Sequence, residues 1–228
     1  MISAATYPCW LAEVMAASPE ALGLVMLEAD PHAGRLDPAT QCAAVGDALA
    51  DGAATARALR QRFAVPSPPE LAHARGVPVV TIDDDPLVGR LWRFAEYRER
   101  PARIRLYRRG LAPLDRMVIG PLAAQLLGRA TPRDVFIAHE LFHHLEATRP
   151  DTPIAQRFRP TLFRVGRWRW RTGIAALSEI AAGAFAQALL DLPCHPRVLD
   201  LIVRDAMAPD AVATPIAAGM AAVASPRH

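Results

Sequence analysis

The chain has 228 residues, 52% of them hydrophobic, which is enough for one substantial core domain or a catalytic domain with a helical extension. Three scattered cysteines, Cys9, Cys42 and Cys194, exclude a disulfide framework and favour a reducing compartment; with no basic, signal-like start before Trp10, a cytoplasmic location is expected. All 26 basic residues are Arg, which with the high Ala content reflects a GC-rich genome more than a binding function. The formal charge of +3 hides an uneven spread: residues 1–89 carry −6, residues 90–171 carry +11 and residues 172–228 carry −2.

Residues 1–66 read mostly as helices. The clearest is Gln41–Phe63, Ala-rich, with Val45, Leu49, Ala56, Leu59 and Phe63 towards one side. Pro66-Ser67-Pro68-Pro69 breaks it and starts a short helix over 69–76. No helix-turn-helix signature and no internal repeat is present, so this region reads as a helical cap on the rest of the chain. Strand-like Val77–Ile82 follows. Asp83-Asp84-Asp85-Pro86 reads as a solvated turn rather than a metal site, because Asp is favoured in turns and Pro ends the strand. Phe94–Arg98 and Arg103–Arg108 are further short strands. In the second, Ile104 and Leu106 share one face and Arg103, Arg105 and Tyr107 the other, the pattern of a half-buried strand. Leu122–Leu127 is a helical turn.

Thr131-Pro132-Arg133-Asp134 then signals a helix start: an N-cap hydroxyl, a proline at the first helical position, and a carboxylate near the orphan N–H groups. Val135, Ala138, Leu141, Phe142 and Leu145 continue it as an apolar stripe that ends before Pro150. In its middle lies His139-Glu140-Leu141-Phe142-His143, an H-E-x-x-H pentad. Histidines four apart on a helix face the same way, so both imidazoles can grip one zinc ion. Glu140, beside the first, can take a proton from a water at the metal.

A catalytic zinc commonly takes a third protein ligand. Glu179 is the candidate, as the only charged residue in the apolar run Ile174–Leu190. A buried lone carboxylate is costly unless paired or metal-bound. The competing reading is a salt bridge to an Arg, or a thin solvent-facing strip. Glu179, Ser178 and Gln187 interrupt the run too much for a membrane span. Between the two helices, Arg157-Phe158-Arg159 and Arg164-Val165-Gly166-Arg167-Trp168-Arg169-Trp170-Arg171 interleave Arg with aromatics. Three readings stand: tryptophans packed on the core with Arg facing water, a cleft rim selecting acidic peptides, or a nucleic-acid surface. Cys194-His195, between Pro193 and Pro196, reads as a helix-ending turn.

Ile137–His144 together with Glu179, Ala182, Phe185, Ala186, Leu189 and Leu190 resembles the ImmA/IrrE group of zinc peptidases, which pair an "AHELGH" helix with an "E-x-x-A-x-x-F-A-x-x-L-L" helix. The resemblance spans roughly residues 68–193. It implies that His139, His143 and Glu179 bind Zn2+, that Glu140 is the general base, and that the substrate is a peptide or protein such as a DNA-binding transcriptional repressor in a stress response. Phe142 stands where the family carries Gly, and the stretch from His143 to Glu179 is longer than the family pattern. Other zinc families fit less well. A metzincin needs Gly and His where Glu146 and Arg149 stand, a thermolysin-type helix needs Asp at Gly183, and a deformylase needs a ligand Cys between Cys42 and Cys194.

The expected fold is α+β. A zincin-like core over 67–228 would pack a small mixed or antiparallel sheet on the H-E-x-x-H helix and the second ligand helix, and end in a helical tail. An N-terminal helical extension covers 1–66. In such peptidases an edge strand above the metal helix binds extended substrate by strand addition, and Arg103–Arg108 is assigned to that sheet. The expected activity is zinc-dependent peptide-bond hydrolysis with no membrane partner. The competing class is a non-hydrolytic zincin scaffold that binds a protein or nucleic acid through its Arg-rich middle.

Overall fold

The computed structural model describes residues 9–63, 67–89 and 91–207; the end of the expected helical tail, the first eight residues and part of the Pro66 break lie outside them. The fold is mixed α+β. Helices α1 (Cys9–Ala16), α2 (Pro19–Glu28) and α3 (Pro38–Arg62) open the chain. α3 begins earlier than its apolar periodicity suggests, because Asp37 caps it, accepting from Thr40 N, and Pro38 occupies the first turn. After α4 (Pro68–Ala74) come β1 (Val79–Ile82), the small ribbon β2 (Leu87–Val88) and β3 (Leu91–Trp92), then β4 (Ala95–Glu99) and β5 (Ala102–Tyr107). Asp83 and Asp84 lie in the turn after β1 and pair with Arg108 at 2.8 Å and Arg105 at 2.6 Å.

The main sheet has the order β1-β5-β4, with β1 parallel and β4 antiparallel to β5. The strand over 103–108 is therefore central, and the sheet edge that packs on the metal-motif helix is β4. Tyr107, expected on the solvent side, is buried, with the Arg93 guanidinium 4.4 Å over its ring. That cation–π contact lets a polar-tipped ring and an arginine cover one another.

Helices α5 (Arg108–Met117) and α6 (Gly120–Leu127) lead to α7 (Pro132–Thr148). Its start is a capping box in which Thr131 and Asp134 satisfy each other's backbone N–H. α7 lies between two apolar clusters. Val135, Ile137 and Leu141 join the sheet side, with Ile104, Leu106 and Leu126. Ala138 and Phe142 join the other side, with α3 and with α9 (Ala175–Leu190). Along the α3–α9 seam, Ala44, Val45, Ala48 and Ala56 meet Ala181, Ala182 and Phe185. Gly52 is obligatory there, since a Cβ would collide with the Ala181 carbonyl oxygen. The first turn of α9 has no cap of its own; Asp30, from far upstream, accepts from Ala176 N at 3.2 Å.

The stretch joining α7 to α9 folds as α8 (Ile154–Arg157) and a hairpin of β6 (Thr161–Val165) and β7 (Trp168–Arg171). Arg157 is structural, tied to Asp47 at 3.1 Å and Asp51 at 2.6 Å on α3. The expectation that the tryptophans pack on the core fails. Trp168 is 76% and Trp170 61% exposed, because no second layer among the described residues covers them. Its register pairs Phe163 with Trp170, Val165 with Trp168, and Arg164 with Arg169. Cross-strand partners share a face, so the four apolar side chains form one side and Arg164 and Arg169 the other. Helix α10 (Arg197–Met207) closes the described chain.

Candidate metal centre

α7 and α9 together bring His139, His143 and Glu179 to one point. One ligand atom from each lies within 4.8 Å of the others. His139 Nε2 is 3.1 Å from Glu179 Oε2, His143 Nε2 is 3.5 Å from Glu179 Oε1, and the two Nε2 atoms are 3.3 Å apart. A tetrahedral ion with bonds of about 2.0–2.1 Å separates its ligands by roughly 3.3 Å, so the three side chains are close enough to hold a metal ion. The lone buried carboxylate expected at Glu179 is corrected in one respect: its side chain is 54% exposed, because it opens onto a cavity instead of being sealed in the helix packing.

The hydrogen bonds behind His143 fix its tautomer. Ser178 Oγ donates to the Glu146 carboxylate. Its single proton is then spent, so at 3.3 Å it accepts from His143 Nδ1. His143 must carry its proton on Nδ1, which leaves Nε2 with a free lone pair towards the other ligands. Glu146, buried, also accepts from Ile154 N at 2.8 Å, which ties α8 to the same relay.

Glu140 is buried, and its Oε2 accepts from Tyr97 N at 2.7 Å, a bond from the free edge of β4. Burial pushes its carboxyl up to about 7, the charge on His139 offsetting part of the rise. Burial also lowers His143, to about 4, with His139 adding to the effect. Burial works against the charged form of Glu179, yet its bond to His139 and the neighbouring His charges hold it at about 2. His139 is raised: burial, the largest single effect, opposes its charged form, but the bond to Glu179 and the charges of Glu179 and Glu140 together outweigh it. A carboxylate kept ionised between two imidazoles is the protonation state a cation needs.

The centre opens into a cavity of about 630 Å³ lined by Ala95, Tyr97, Phe136, Gly183, His195 and Arg197 among others. The fold brings His139, Glu140, His143 and Glu179 to one cavity, together with Tyr97 and His195, and sets Ser178 and Glu146 behind His143; the sequence singles out none of these last four for the site. His195 lies in the turn that follows α9, as expected, and that turn carries it inward: it is 6% exposed and sits over Gly183, one turn beyond Glu179 on α9. Burial, with Arg197 and His139 nearby, holds its imidazole down at about 4. His144 points away from the centre, with Nδ1 3.0 Å from the Tyr97 hydroxyl.

Comparison of the chain with protein-family models, with curated proteins and with solved structures gave no match. The reading of the site therefore rests on its geometry and on the motifs themselves.

Proposed function

We propose that this chain is a zinc-dependent peptidase with a zincin-like core, of the ImmA/IrrE type that its two ligand helices resemble. The observation that carries the reading is the triangle of His139, His143 and Glu179 with buried Glu140 beside it. Two imidazoles and one carboxylate so close together suit zinc better than magnesium or calcium, which prefer all-oxygen sites. Zinc in this position supplies Lewis-acid polarisation of a water and of the scissile carbonyl. Glu140, near neutrality in its pKa, takes a proton from the water and passes it to the departing amine. The Tyr97 N–H holds one of its oxygens and leaves the other free for that transfer. Tyr97 keeps only its carbonyl free on the open edge of β4, and with Ala95 beside it at the cavity an extended peptide can add there as a further strand. A transcriptional repressor as substrate, and action in the cytoplasm, follow from the resemblance and from the cysteine usage.

The second reading, a scaffold that binds a partner or nucleic acid without cleaving it, draws on the exposed hairpin of β6 and β7. Its aromatic and arginine faces are opposed, so one nucleic-acid strand cannot stack on the former and meet the latter with its phosphates. A scaffold also has no use for a buried base beside three ligands.

Zinc per chain and cleavage of a randomised peptide pool test the proposal in three proteins. One zinc with cleavage is expected for the wild type, strongly weakened zinc binding for Glu179→Ala, and retained zinc without cleavage for Glu140→Gln. A wild type that takes up no zinc, or a fully active Glu140→Gln, defeats it.

A further inference from the structure

We propose that His195 is a catalytic residue: its Nε2–H donates a hydrogen bond to the carbonyl oxygen of the scissile bond as negative charge develops there. The inference rests on the peptidase reading and adds to it a group that the H-E-x-x-H motif does not contain.

Three observations carry it. First, the tautomer is set by the backbone. Arg197 N donates to His195 Nδ1 at 3.2 Å. A backbone N–H can only donate, so Nδ1 is the acceptor and the ring proton resides on Nε2. Second, that Nε2 is buried and has no hydrogen-bond partner among the described residues. A buried donor left unpaired costs on the order of 1–3 kcal/mol, and such a group persists where a ligand completes it. Third, the fold makes room for this ring. Gly183 follows Glu179 by one helical turn on α9, and a Cβ at 183 would lie 2.8 Å from Nε2. The imidazole thus occupies the space that a side chain would take on the ligand-bearing face, on the wall of the cavity that also holds Glu140 and Glu179.

His195 is not a fourth ligand, since among the described residues the group close enough to hold a metal is His139, His143 and Glu179. In the hydrolysis the water oxygen bonds to the carbonyl carbon and the C–N bond breaks. Glu140 moves one water proton to the leaving nitrogen. His195 keeps its own proton throughout and only stabilises the developing charge, an interaction stronger in the transition state than with the planar carbonyl.

A pool of phosphinic pseudo-dipeptides, whose tetrahedral PO2 group mimics that charge, is the probe. Its tightest member is titrated by calorimetry into wild type, His195→Ala, His195→Gln and Gly183→Ala, with zinc content measured for each. At one zinc per chain, the Ala variant should bind tenfold to a hundredfold more weakly, the range of a hydrogen bond to a charged group. Gly183→Ala, which displaces the ring without removing it, should match that loss, and Gln, which keeps an N–H, should recover part of it. Ring ¹⁵N spectra of the wild type should show the His195 proton on Nε2. Equal affinities at equal zinc, no pool member bound by the zinc-loaded wild type, or the proton on Nδ1 overturns the proposal. Absence of zinc from the wild type refutes the metal-centre reading instead, and the proposal falls with it.

Discussion

At the scale of single residues, the centre depends on side chains that never touch a metal. Glu146 accepts from Ser178 and from Ile154 N, and through Ser178 it decides which nitrogen of His143 is free. Glu146→Ala strands both donors in a buried site. It should lower the stability of the metal-free protein by about 2 kcal/mol in urea unfolding and weaken zinc by about tenfold to a hundredfold. A variant of unchanged zinc affinity would remove the relay from the account. His195 makes a second, pH-linked contribution. Its imidazole titrates at about 4 in the fold, against 6.5 for an unperturbed imidazole. The folded value is the lower one, so its contribution is complete above pH 6.5 and is lost as pH falls towards 4, because the unfolded chain takes up the proton first. Linkage puts that loss on the order of 3 kcal/mol across the window. Metal-free His195→Gln should therefore show a shallower fall in stability between pH 7 and 5 than the wild type. Parallel profiles would mean that His195 titrates alike in both states.

At the scale of elements, the second ligand helix is held in place from the front of the chain. α3 lies along α9 through alanines and one glycine, and Asp30 caps the start of α9. Gly52→Ala should push α3 off the Ala181 carbonyl. We expect a loss of at least about 2 kcal/mol in unfolding free energy, together with weaker zinc binding through the displaced Glu179. Unchanged zinc affinity in a destabilised variant would mean that α9 keeps its place without α3. The elements differ in how plainly the chain announces them. α7 is legible because capping, proline and apolar period agree from Thr131 onward. The start of α3 carries the same kind of signal in Asp37-Pro38-Ala39-Thr40, but the apolar period begins later and hides it. α5 is masked by its arginines and by Pro113 inside the helix. Three of the site residues are legible from a motif of fixed spacing. His195 is not, since its position depends on a turn after α9 folding back over Gly183, a tertiary event with no period. The centrality of β5 is hidden for a similar reason: alternation gives the faces of a strand but not its neighbours.

At the scale of the whole molecule, the excess positive charge of residues 90–171 is partly consumed internally. Arg93, Arg98 and Arg105 all bind Glu96. Arg149 and Arg157 converge on Asp51. The arginines of the hairpin beyond Arg159, by contrast, form none of the ion pairs found among the described residues. No single helix among the described residues is long and apolar enough to cross a membrane.

The hairpin also divides the protein optically. Trp10 is 5% exposed and Trp92 donates its indole N–H to Gly110 O at 3.0 Å, whereas Trp168 and Trp170 are exposed on a two-stranded hairpin whose other face carries Arg164 and Arg169. Excitation of the indoles should give a red-shifted emission component from those two alone. Local positive potential draws anions in and turns cations away. Iodide should therefore quench that component far more efficiently than caesium, and the contrast should fade as inert salt screens the field. Equal quenching by the two ions would mean that the arginine side chains do not govern the surroundings of the indoles.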